Sequence, residues 1–311
     1  MIMITGGAGF IGSAFVREID NPLVFDALTY AGRLENLKDV KHLFIKGDIR
    51  NFQEIEKAVK ENHVDTIVNF AAESHVDRSI VDPFIFLDTN VKGVINLLEV
   101  ARKYDLKLVH ISTDEVYGEQ ENSTEDFPLK PSSPYSASKA SGDMFIHSYI
   151  RTYGVNALII RPSNNYGPRQ FPEKLIPKTI IRILKNMEIP VYGDGKQERD
   201  WIFVEDTAKI IKKIMQEGKK GEIYNVPGGQ RRTNIEIIDE IGKILGKKPL
   251  IKYVKDRPGH DKLYSMKNTK LEYKTIPLEE GLKKTVEWYL NNQWWWTPLL
   301  GDEFFRSEVP W

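Results

Sequence analysis

The chain contains no cysteine. Disulfides, thiolate nucleophiles and cysteine-held metals are therefore excluded. Its six histidines are scattered and none falls in an HExxH-type pair, so no metal site is expected. Net charge is lacking too, because 44 Lys and Arg residues balance 44 Asp and Glu. That balance supplies no basic field for nucleic acid or an anionic membrane surface, and neither partner is expected. No apolar run reaches the ~18 residues of a membrane-spanning helix. The opening residues, Met1-Ile2-Met3-Ile4, read as a strand and lack the charged head and apolar stretch of a secretory signal. A cytoplasmic protein is expected.

What remains is an ordinary globular composition, 311 residues with 41% hydrophobic and 28% charged. It suffices for one large domain or two unequal ones sharing a cleft. The first half alternates short apolar runs with longer periodic segments. Strands are expected at Met1–Thr5, Leu23–Asp26, His42–Lys46, Thr66–Phe70, Lys107–Ser112 and Asn156–Arg161. Helices are expected at Phe10–Arg17, Phe52–Glu61, Pro83–Tyr104 and Tyr135–Tyr153. This alternation predicts an α/β fold of Rossmann type, a doubly wound parallel sheet that binds ligands beyond its strand C-termini. After Arg161 the pattern loosens into Gly, Pro and polar clusters. Helices at Ile176–Asn186, Val204–Gln216, Asn234–Leu245 and Glu279–Asn291 separate them. The reading is residues 1–161 for a dinucleotide-binding domain and 162–311 for a smaller, loop-rich substrate region, with some segments returning to the main sheet.

Thr5-Gly6-Gly7-Ala8-Gly9-Phe10-Ile11-Gly12 follows the first strand and opens a helix. Gly6 suits a tight turn, Gly9 the approach of a pyrophosphate, and Gly12 close helix–sheet packing. Free N–H groups at the helix start would face the phosphates. Asp26 ends the second strand, twenty residues past Gly6, where an acid accepts the adenosine ribose hydroxyls and favours NAD over NADP. Asp48 suits a contact with adenine or a simple turn equally well. Ala71 and Ala72, ending the fourth strand, leave room for a cofactor.

Tyr135 and Lys139 are four apart on a predicted helix and share one face. A Lys⁺ and a cationic nicotinamide would both lower the phenol pKa and make Tyr135 a base. Thr113-Asp114-Glu115 ends the fifth strand, facing the ligand crevice. Two adjacent carboxylates there form either an acid–base pair with separated pKa values or a solvated loop pair.

Taken together these motifs closely resemble the dTDP-glucose 4,6-dehydratases, of the extended short-chain dehydrogenase/reductase superfamily. The resemblance spans nearly the whole chain. It includes Asp26–Gly32, Ala71–Ser79, Thr113–Gly118, Asn164–Pro168, Phe171–Pro177, Arg199-Asp200-Trp201 and Asp256–Asp261. It implies that Thr113 and Tyr135 sit at the sugar O4, with Lys139 lowering the tyrosine pKa and holding the nicotinamide ribose. Glu115 would take the C5 proton, and Asp114 would protonate the leaving C6 hydroxyl. Phe10, Ile11, Leu28, Thr29, Ile49, Ser74, Thr89 and Asn165 would join the cofactor contacts, and His75 would touch cofactor or substrate. Asn164, Lys174, Leu175, Val191, Tyr192, Gly193, Arg199, Asn234, Arg257, His260 and Tyr264 would hold the nucleotide diphosphate or sugar. The arginines suit bidentate phosphate recognition as well as a surface ion pair. Relatives imply a homodimer through helices 83–104 and 135–153. Arg33 departs from the pattern, standing where many relatives carry Asn.

The implied chemistry is an internal redox cycle on NAD, in which oxidation at C4 acidifies C5–H and permits loss of water. A sugar-nucleotide 4-epimerase is the runner-up; it shares Tyr135 and Lys139 but gives Asp114 and Glu115 no task. Another nucleotide-hexose 4,6-dehydratase is a further alternative. A non-catalytic NAD sensor would show a broken YxxxK, and here it is intact.

Overall fold

The computed structural model describes residues 1–309. Six strands of the first half are β1 (Ile2–Thr5), β2 (Leu23–Asp26), β3 (Leu43–Lys46), β4 (Thr66–Asn69), β5 (Lys107–Ile111) and β6 (Ala157–Pro162). With them run α1 (Phe10–Val16), α2 (Phe52–Glu61), α3 (Val76–Val81), α4 (Pro83–Leu87), α5 (Gly93–Tyr104) and α6 (Pro134–Tyr153). The second half adds strands β7 (Asn164–Tyr166), β8 (Ile189–Tyr192), β9 (Glu198–Phe203), β10 (Ile223–Val226), β11 (Arg231–Thr233) and β12 (Ile251–Val254). Its helices are α7 (Leu175–Leu184), α8 (Val204–Glu217), α9 (Asn234–Leu245), α10 (Leu278–Asn291), α11 (Gln293–Trp296) and α12 (Glu303–Arg306). The six expected strands fall within one residue of their bounds.

β10, β6, β5, β4, β1, β2 and β3 lie in that order in one seven-stranded sheet, and every pairing is parallel. Successive side chains point to opposite faces, and apart from edge strand β3, exposed at both ends, both faces are largely buried, so these strands read as short apolar runs. Met3, Leu23, Ile67 and Leu108 face the core under α2, α5 and α6. Ile4, Val24, Val68 and Val109 face the core under α1 and α8. Strand order reverses between β1 and β4, and a crevice opens at that point. A third core joins α7, α9 and α10 to Trp295, Trp296 and Phe305. Two small sheets, β11-β9-β7 and β12-β8, carry the loops around it.

α6 starts where its sequence says it should. Ser133 and Ser136 cap each other's backbone N–H groups, Pro134 occupies the first turn, and Gly154 closes the end at φ 68°. One element departs from expectation. Pro83–Tyr104 is not a uniform helix, because Asp88–Lys92 winds as a π turn between α4 and α5. A π turn inserts one residue. Here it brings Asn90 against the loop after β4: its Oδ1 accepts from Glu73 N and its Nδ2 donates to Glu73 O, both at 2.9 Å.

Candidate active site

The glycine loop crosses from β1 to α1 under tight steric limits. Gly6 has φ 68°, and a Cβ there would lie 2.5 Å from Ala71 N. A Cβ on Gly12 would lie 2.2 Å from Gly6 O. On Gly9 it would meet only Gly6 O, at 3.2 Å, so that side is open to a ligand. Asp26 accepts from Ala8 N at 2.9 Å and from Leu28 N at 2.8 Å. Each carboxylate oxygen keeps a lone pair toward the crevice. Burial raises its pKa, against those two backbone donors.

Gly6, Gly9, Phe10, Ile11, Gly12, Asp26, Thr29, Asp48, Ile49, Ala71, Ala72, Ser74, Thr89, Tyr135 and Lys139 all line one elongated cavity. Leu28 and Asn165 do not line it. Leu28 sits at φ 52° and packs against the α1/α8 core. Asn165 is buried, its amide donating to Ser163 O at 2.9 Å. Asp48 is engaged by Arg50, whose Nε donates to both carboxylate oxygens at 3.0 and 2.9 Å.

At one end of this cavity α6 passes the turn that follows β5. Thr113 Oγ1 accepts from Glu115 N at 3.3 Å and donates to Asp114 Oδ1 at 3.2 Å. Tyr135 is buried, with the ring of Phe86 edge-on at 6.2 Å. Lys139 Nζ donates to Ile111 O at 2.7 Å. Burial lowers the Lys139 ammonium to about 8, against the pull of Asp143 one turn on. The expected lowering of the Tyr135 phenol by Lys139 is not found within the chain. Burial first, then the Glu115 charge, push that phenol well above its ordinary value, and a hydrogen bond with Thr113 opposes them. The carboxylates of Glu115, Asp114 and Asp143 all act to raise it.

Asp114 and Glu115 have different surroundings. Burial pushes the Asp114 carboxyl well up, and the charges of Glu115 and Asp200 add to this. Burial also raises Glu115, but Arg257, Arg199 and Lys174 pull it back. Burial thus acts on both, and only Glu115 has three cations opposing it.

Glu115 faces a second cavity. His75, Asn164, Lys174, Leu175, Val191, Tyr192, Arg199, Asn234, Arg257, His260 and Tyr264 line it. Thr113 and Gly193 do not. Thr113 is buried in the wall behind, and Gly193 turns at φ 59° against Asp256. Arg257 donates to Asp77 Oδ1 at 3.1 Å, while its buried Nε has no partner among the described residues. Arg199 lies over the Tyr264 ring at 4.3 Å and donates to Asp261 O at 3.0 Å. Guanidinium N–H groups lining a pocket suit a diphosphate. Ser74, Glu173 and Lys174 border both cavities, which therefore meet.

A model of the NAD dependent epimerase/dehydratase family matches residues 2–227. The chain belongs to that family. A curated dTDP-glucose 4,6-dehydratase from Neisseria meningitidis is 43% identical, covering 97% of this chain and 97% of its own length. A crystal structure of the dTDP-glucose 4,6-dehydratase of Streptomyces venezuelae, with NAD bound, is 42% identical over 96% of this chain and 99% of that one, with a TM-score of 0.92. The UDP-glucose 4-epimerase of Thermus thermophilus, in complex with NAD, is 31% identical over 94% and 99%, with a TM-score of 0.88.

Within this family member several pocket residues carried no individual expectation. Glu173 accepts from Tyr30 Oη at 3.0 Å and from Arg78 Nε at 2.8 Å. Asp77 accepts from Tyr192 Oη at 2.8 Å and from Arg257. Lys178, lowered to about 8 mainly by burial, lines the second cavity. Asp77, Arg78 and Glu173 lie inside motifs quoted from the sequence, which was the available signal.

Proposed function

We propose that the chain catalyses the 4,6-dehydration of dTDP-glucose in the cytoplasm, with NAD in the first cavity and the nucleotide sugar in the second. The glycine loop, Asp26 and Thr89 hold the dinucleotide, and Lys139 meets its nicotinamide ribose. Arg199 and Arg257 hold the diphosphate. When bound, NAD supplies the redox chemistry, accepting a hydride from C4 and returning it to C6. Its positive ring would act with Lys139 to lower the Tyr135 phenol. Tyr135 Oη removes the O4 proton, and Thr113, hydrogen-bonded to that phenol from the wall behind, orients it. The new C4 ketone acidifies C5–H, and a Glu115 carboxylate oxygen takes that proton. Asp114 gives its proton to the C6 hydroxyl, which leaves as water. Protonation at C5 then completes the product, the 4-keto-6-deoxy sugar nucleotide.

One observation carries this reading. Beside Tyr135, Glu115 faces the substrate cavity with three cations around it, while burial pushes the carboxyl of adjacent Asp114 well up. C4 oxidation alone needs neither group, and elimination needs both. The test is incubation with dTDP-glucose and NAD, followed by mass analysis. Loss of one water supports the dehydratase; a product of unchanged mass and inverted C4 would establish an epimerase.

A homodimer is part of the same proposal. Val81, Phe84 and Leu87 on α3 and α4 are 57%, 75% and 54% exposed, and Met144 on neighbouring α6 is 51% exposed. Apolar side chains gathered on adjacent helices mark an association surface. Light scattering that gives a monomer at micromolar concentration would overturn it.

A further inference from the structure

Three consecutive tryptophans close the chain's last long helix region, and they take three different environments. Trp296 is buried in the C-terminal core, and Trp294 is 52% exposed with Lys38 over its ring. Trp295 is buried in the same core, but its indole N–H reaches toward the glycine loop. Its Nε1 donates to Asn36 Oδ1 at 2.8 Å. Asn36 Nδ2 in turn donates to Ala8 O, also at 2.8 Å. Arg33 completes the arrangement: its backbone N donates to the same Ala8 O at 3.0 Å, and its guanidinium donates to Trp295 O at 2.7 Å. Ala8 N is already tied to Asp26. Both ends of this residue, set between Gly6 and Gly9, are therefore held.

We propose that Trp295, acting through Asn36, is a positioning residue for the glycine loop, so that the C-terminal segment sets how tightly the dinucleotide is held. This rests on the reading of the first cavity as the NAD site. A glycine-rich loop has wide conformational freedom of its own. Only the arrangement with its N–H groups aimed into the cavity is competent, and apparent affinity falls with the fraction of molecules in it. The hydrogen bond from Trp295 fixes the Asn36 amide, and that amide fixes the Ala8 carbonyl. Arg33, a departure from the resembled pattern, belongs to the same brace.

The test is calorimetric titration of NAD into the full chain and four variants. Trp295→Phe keeps an aromatic ring, though a smaller one, and removes the donor; losing one buried neutral hydrogen bond predicts roughly two- to tenfold weaker NAD binding. Asn36→Leu should weaken it at least as much. Because Trp295 acts through Asn36, the double variant should bind no more weakly than Asn36→Leu alone. Trp294→Phe, the control, should bind as wild type does. The KM for NAD should rise in Trp295→Phe while kcat at saturating NAD stays unchanged. Wild-type affinity in Trp295→Phe, or full additivity in the double variant, overturns the inference and leaves the site reading intact. No NAD binding by the wild-type chain overturns both. Should Trp295→Phe fail to fold, the double variant leaves no partner orphaned, and wild-type affinity in it would equally refute the brace.

Discussion

Replacing Glu115 by Gln separates the two halves of the proposed reaction. The amide keeps the side-chain shape, and its carbonyl oxygen can still accept from Tyr264 Oη, now 3.4 Å from the carboxylate. It cannot take a proton. The substitution also removes a negative charge that, after burial, most strongly raises the Tyr135 phenol. Deprotonation of Tyr135 becomes easier, so C4 oxidation should persist or quicken. Elimination should slow by ~10²–10⁴-fold, the usual value of a positioned base, or about 3–5 kcal/mol of barrier. Adding dTDP-glucose to the variant should produce the absorbance of reduced cofactor. Water loss and exchange of the C5 proton into deuterated solvent should nearly stop. Mass and deuterium content of the product measure both. A dehydrated, C5-exchanged product released at the wild-type rate would show that Glu115 is not the base.

Tyr135→Phe should fold normally, because the ring packs on Phe86 and Val76, yet lose ~10²–10⁴-fold in turnover; near wild-type turnover would remove Tyr135 from the chemistry. NADP should bind roughly a hundredfold more weakly than NAD, since Asp26 would face its 2′-phosphate as a like charge. Equal binding of both by calorimetry would contradict that placement. The pH dependence of kcat/KM tests Lys139. Its ammonium, lowered to about 8, is charged below that pH and neutral above it, so activity that needs the charge is complete on the acid side and falls as pH rises through 8. Lys139→Arg stays charged and should lack this limb; a wild-type profile that stays flat through the ordinary lysine range counts against it.

The positions of the first six strands were legible because most are buried on both faces and so read as short apolar runs; β3, at the sheet edge, is exposed at both ends. The capped helix carrying Tyr135 and Lys139 was legible for a local reason, the Ser133-Pro134 start and the Gly154 stop. The π turn at Asp88–Lys92 was not. Its residues continue a helical pattern, and the extra residue is selected by Asn90 bonding to Glu73, seventeen positions away. Most of the cavity-lining residues came from motifs. Leu28, Asn165, Gly193 and Thr113 lie outside the linings expected for them, because a motif names a segment while the backbone decides which side chains turn inward. Arg33 looked anomalous for a similar reason: its partner, Trp295, is 262 residues along the chain, and such a pairing leaves no local mark.

The separation of Asp114 from Glu115 shows why the fold alone does not choose the reaction. Both residues end one strand of a sheet that the 4-epimerase of Thermus thermophilus matches at a TM-score of 0.88. Two neighbouring buried carboxyls would both be driven toward the neutral form if burial acted alone. Glu115 is pulled back by Arg257, Arg199 and Lys174, all from the second half of the chain. For Asp114, Arg199 is the only one of those three cations among the leading influences, and Glu115 and Asp200 outrank it. In the proposed mechanism the acid and the base are therefore set apart by segments more than fifty residues along the chain, among them Arg199 of β9. A dehydratase needs that assignment and an epimerase does not, so removing Arg257's charge should impair elimination more than C4 oxidation. An Arg257→Met variant that lost both steps equally would mean that Arg257 serves substrate binding alone and that the acid–base split has another source.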